Sequence, residues 1–85
     1  MYKPSDFIGV NNAGYTIIDA TQVAATDWVV LGQSDKNRAA PFVVWQSTAP
    51  DDFFWGHYFQ LEDHAKLDFY RTAYNLAESI YRDCI

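Results

Sequence analysis

Eighty-five residues suffice for one domain and leave no room for a second. At 49% hydrophobic, 18% aromatic and 20% charged, the chain lies far from the disordered regime and has core material without metal or disulfide staples. Eleven acids against six bases give a formal charge of −5, which argues against direct nucleic-acid binding and against anionic membrane surfaces.

In chain order, Tyr2-Lys3-Pro4-Ser5 is a lead-in in which Pro4 excludes regular ladder pairing. Phe7-Ile8-Gly9-Val10 reads as a short first strand and Asn11-Asn12-Ala13-Gly14 as a turn of residues tolerant of left-handed backbone. Tyr15–Ala20 is β-branched and apolar and forms the second arm of a hairpin. Thr21–Asp27 lacks a clear period and reads as a connector. Trp28–Gly32 and Phe42–Gln46 are strong strands, separated by the exposed loop Gln33–Ala40 and by Pro41. After a turn at Ala49-Pro50-Asp51-Asp52, the stretch Phe53–Phe59 is the last and most aromatic strand.

From about Leu61 to Asp83 the pattern turns helical, with no Gly or Pro. Glu62/Lys66 and Glu78/Arg82 are acid-first pairs four apart, and Asp68/Arg71 is a pair three apart. Acids open the helix and Arg82 closes it, as the helix dipole favours. At 100° per residue, Leu61, Ala65, Phe69, Ala73, Leu76, Ala77 and Ile80 share one arc. Leu67, Tyr70, Tyr74, Tyr81 and Ile85 form the adjoining arc, and His64, Asp68, Arg71, Asn75, Glu78 and Arg82 the polar remainder.

The connections between strands are too short for parallel crossovers. The predicted fold is therefore α+β: an antiparallel four- to five-stranded β-meander with one long C-terminal α-helix packed on one face, a single domain over residues 1–85. Three strands are apolar on both sides, whereas one helix covers one face. The second face is covered by the N-terminal segment with Tyr2 and Phe7 and by curling of the sheet, or by a second copy, or by another partner.

The chemistry-bearing residues are sparse. His57 follows Gly56 inside a strand, where a bulge is expected, and is either a structural histidine or the centre of a ligand or catalytic site. His64 lies on the polar helix face. No spacing suits a metal, and Asp51 and Asp52 with His57 make a site only by construction. Cys84, the single cysteine, permits no internal disulfide and stands beside the C-terminus, with no activating base indicated. No phosphate-binding or nucleophile motif occurs, so an enzyme is not expected and no cofactor is implied. The aromatic strands carry no Lys or Arg, which disfavours base stacking with phosphate contacts. No secretory leader or membrane span is discernible, and a chain that starts at Met1 reads as a complete cytoplasmic product.

Trp55-Gly56-His57-Tyr58-Phe59, followed by a helix with an acidic start, resembles short uncharacterised proteins encoded on bacterial mobile elements, over the last third of the chain. The resemblance implies a small accessory or counter-defence protein and transfers no functional residue. The residues themselves point to a non-enzymatic protein-interaction domain, with a protein partner or self-association. The expected contact residues are Trp28, Trp45, Trp55, Tyr58, Tyr70, Tyr74 and Tyr81. The alternative is an acidic inhibitor of a nucleic-acid-handling enzyme, which requires Asp51, Asp52, Glu62, Asp63 and Asp68 to form one patch.

Overall fold

Tight connections between apolar runs produce the expected antiparallel meander. The computed structural model describes residues 1–82. The sequence expectations for Asp83, Cys84 and Ile85 lie outside the described residues. The elements are α1 (Pro4–Phe7), β1 (Asn11–Asn12), β2 (Tyr15–Ala24), β3 (Asp27–Gln33), β4 (Phe42–Ala49), β5 (Asp52–Phe59) and α2 (Glu62–Arg82). The five strands pair in sequence order, every neighbour antiparallel, so β5 is one margin of the sheet. This is the α+β architecture that the sequence predicts, with four of its expected strands present and a different first one.

Three segments differ from expectation. Asn11-Asn12 is not part of the turn but the two-residue strand β1, paired with Thr16 and Tyr15, which leaves Ala13-Gly14 to make the turn. Phe7–Val10 is not a strand: Pro4–Phe7 forms a helical turn, because proline fits the first helical position. The Asp6 carboxylate accepts the Lys3 backbone N–H at 2.8 Å and closes that turn. Gly9, at φ 92°, then redirects the chain so that its N–H reaches the Ile17 carbonyl at 2.8 Å, while the Ile17 N–H reaches the Val10 carbonyl at 2.8 Å. Thr21–Asp27 is not a connector either, since β2 runs on to Ala24 and turns into β3 at once. Irregularities between Ile17 and Asp19 and between Gln22 and Ala24 break the two-residue alternation, which is why no period is visible there.

Residues paired across a ladder share a face. Tyr15, Ile17, Ala20, Trp28, Val30, Val43 and Trp45 form one buried cluster, closed by Phe7 from α1. Val23, Val29, Leu31, Phe42 and Val44 form the other, closed by Ala65 and Phe69 of α2 with Ala73, Leu76, Ala77 and Ile80 half-buried beside them. Each face thus has its own lid, one four residues long and the other twenty-one. Leu61, assigned by its angle to the core arc, is exposed just before α2 begins.

The short lid suffices because the sheet curls. Tyr15 on β2 and Tyr58 on β5 have ring centroids 6.0 Å apart. Three strand spacings of about 4.8 Å would hold them much further apart in a flat sheet. Trp45 sits between them, edge-on to both. Gly32 makes this closure feasible: a Cβ there would stand 3.0 Å from Val43 Cγ1 and 3.2 Å from Tyr15 Cβ.

Phe7 is wholly buried and its ring centroid lies 4.5 Å from that of Trp28, so it anchors the N-terminal lid. Phe7→Ala should cost about 3 kcal/mol in urea unfolding, with Trp28 becoming accessible to a fluorescence quencher. The β1–β2 turn has φ of 53° at Ala13 and 87° at Gly14, the geometry that favours Asn-Gly. Ala13→Asn should therefore stabilise the protein by about 0.5 kcal/mol, read in the same titration.

Candidate functional site

The aromatic residues expected on the surface separate into a buried set and three exposed places. Trp28 and Trp45 are 1% and 5% exposed and belong to the core, where Phe7 and the sheet curl enclose them. They are therefore removed from the candidate contact surface. Trp55, Tyr58, Tyr70, Tyr74 and Tyr81 are all more than half exposed.

Trp55 owes its position to a bulge in β5. Pairing passes from Val44 with His57 to Gln46 with Phe54, so Trp45 opposes both Trp55 and Gly56. Trp55 adopts φ 55°, a conformation costing roughly 1–2 kcal/mol for a bulky residue. Its indole is 72% exposed and rests edge-on against Phe54, with ring centroids 5.2 Å apart. Gly56 is required beside it, because a Cβ there would stand 2.7 Å from Trp45 Nε1. The Trp-Gly dipeptide inside a strand pointed to the bulge in the sequence but not to which of its two residues takes the left-handed backbone.

Tyr58 lies at the rim of the cluster closed by Phe7, against Trp45 and Tyr15. Tyr70, Tyr74 and Tyr81, exposed by 62%, 68% and 56%, run along α2 together with exposed Leu67. Their flank follows from helix geometry. Phe69 points into the core, and Asp68, about 100° to one side, reaches β5 by bonding His57. Tyr70 is about 100° to the other side, and Tyr74 and Tyr81 fall within 40° of it. The tyrosine row thus faces away from β5 and from Trp55.

His57 is half exposed, and its Nδ1 lies 3.0 Å from Asp68 Oδ2. The same carboxylate oxygen accepts a bond from the Thr72 hydroxyl at 3.4 Å. This ties β5 to α2, and among the described residues no cation or second carboxylate pairs with the ring. Among the described residues, no group of three His, Cys, Asp or Glu side chains is placed to hold a metal. Because Asp68 turns to His57, the expected pair with Arg71 does not form, whereas Lys66 lies 3.4 Å from Glu62 and Arg82 bonds Glu78.

The acids needed for a phosphate-like patch are divided. Asp51 and Asp52 stand at the β4–β5 turn, where the Asp52 carboxylate accepts the Thr48 hydroxyl at 2.6 Å. Glu62 and Asp63 start α2, beyond the opposite end of β5. An eight-residue strand spans roughly 25 Å, so the five acids do not make one surface. The loop between β3 and β4 is ordered by Tyr15, whose hydroxyl donates to the Ala40 carbonyl at 2.6 Å and accepts from Asn37 Nδ2 at 3.1 Å. Lys36 and Arg38 of that loop flank an open depression of about 520 Å³. No helix among the described residues is long and apolar enough to cross a membrane.

Trp55→Gly should relieve the left-handed backbone and raise stability by about 0.5–1 kcal/mol by chemical denaturation, because the indole adds little to the core. A loss of stability would show that its contact with Phe54 outweighs the strain. No family model matches the chain, and no match was found among curated proteins or solved structures.

Proposed function

We propose that this chain is a small non-enzymatic protein-interaction domain whose docking surface is aromatic, with the tyrosine row of α2 as its main part. One observation carries this reading. Both sheet faces are closed by lids, yet Leu67, Tyr70, Tyr74 and Tyr81 remain outside on a single helix flank. A folded domain has no internal use for such a row, and tyrosine is over-represented among residues that dominate binding energy. Trp55 is a second, smaller contact, held exposed at the expense of backbone strain.

The divided acids weigh against an acidic inhibitor of a nucleic-acid-handling enzyme. The sparse surroundings of His57 likewise weigh against a catalytic centre. The accessory role implied by the resemblance of Trp55–Phe59 to mobile-element proteins fits a docking protein, and it rests on that resemblance alone.

The test compares the wild type with Tyr70→Lys/Tyr74→Lys as immobilised baits. Stability should stay within about 1 kcal/mol, since both side chains are exposed. Retention of a defined partner, including the chain itself in solution, should fall by roughly thirtyfold or more. Unchanged retention would remove the row from the function.

A further inference from the structure

We propose that the occupant of the tyrosine row is a second copy of this chain, its α2 lying antiparallel to the first. This rests on reading the row as a docking surface and names its partner. Leu67, Tyr70, Tyr74, Ala77 and Tyr81 are spaced three, four, three and four residues apart. That is the spacing of a two-helix seam; Leu67, Tyr70, Tyr74 and Tyr81 stand exposed on it, and Ala77, which also packs against the core cluster, forms its inner margin. Ala77, half-buried and the smallest residue of the seam, is the position that best tolerates a bulky facing side chain such as Tyr74.

Charge selects the direction and the register. Arg71 and Glu78 each follow a seam residue by one position and lie seven residues apart on the same side. With Tyr74 opposite Ala77 of an antiparallel copy, Tyr70 meets Tyr81 and Arg71 stands beside Glu78, each pair occurring twice by the two-fold axis. Sliding one heptad, so that Tyr70 meets Tyr74, sets Arg71 against its own copy. A parallel pairing sets Lys66 against Arg71. Only the first arrangement matches opposite charges. Arg71 has no ion-pair partner among the described residues, and Glu78 is held only by Arg82, one exposed turn further on.

The four exposed side chains offer on the order of 500 Å² per copy, or about 1,000 Å² in a pair. This is the low end for a specific interface, so the dimer forms reversibly with concentration.

Sedimentation or light scattering from about 1 to 200 µM should show the wild-type mass rising towards twice the monomer. Arg71→Glu and Glu78→Arg should each weaken self-association at least tenfold, because one places acid against acid and the other base against base. Mixed in equal amounts, the two variants should associate with each other, since every cross-pair is then opposite in charge. Thermal melting of each variant provides the folding control, both positions being exposed. A wild type that is monomeric throughout overturns self-pairing, as does a dimer that both variants leave intact. If that monomer still binds a different protein and loses it with Tyr70→Lys/Tyr74→Lys, only the identity of the partner has failed. If it binds nothing through the row, the docking reading fails as well.

Discussion

A sheet that is apolar on both faces must be covered twice, and this constraint governs the rest of the molecule. The long helix meets half of it. The other half falls to a four-residue turn, and the contact between Phe7 and Trp28 makes so small a lid effective. Phe7 adds apolar area against Trp28, and the backbone bonds that Ile17 makes with Gly9 and Val10 hold it in place. Without that anchor, Trp28 and its neighbours would face water and the domain would lose half of its interior.

Curling does the remainder by drawing Tyr15, Trp45 and Tyr58 together across strands that a flat sheet would keep apart. Two glycines leave room for it. Gly32 lets Tyr15 lie over β3, and Gly56 lets the Trp45 indole lie against β5. The same packing orders the β3–β4 loop, because the Tyr15 hydroxyl donates to the Ala40 carbonyl and accepts from the Asn37 side chain. A core contact thereby fixes a surface loop. On the opposite face α2 needs only one arc for its packing, and Leu67, Tyr70, Tyr74 and Tyr81 of the adjoining arc are left to solvent.

Much of this is legible in the residues. The helix, its two apolar arcs and the antiparallel order follow from periodicity and from the lengths of the connections. The role of Phe7 as a cover was foreseeable, but its helical turn was not, because three apolar residues around a glycine mimic a strand. Thr21–Ala24 escaped notice because irregular pairing shifts side chains between faces and erases the alternation that reveals a strand. The exposed surface was half legible. Helix angles placed Tyr70, Tyr74 and Tyr81 correctly on a separate flank, whereas Trp28 and Trp45 looked identical to Trp55 as members of apolar strands. Only three-dimensional closure separates a tryptophan that a neighbouring element covers from one that a bulge turns outward.

That bulge has a further effect on how the molecule behaves in company. β5 ends the sheet, and a straight marginal strand presents a row of unused amide and carbonyl groups to any other extended chain. Phe53-Phe54-Trp55 would be a hazardous sequence to display in that way, rich in β-formers and bearing no charge. The left-handed kink at Trp55 bends the strand out of plane and interrupts the run of backbone groups that a fibril would template on. The residue that presents the largest exposed ring thus also blunts the edge along which ribbon-like stacking would begin.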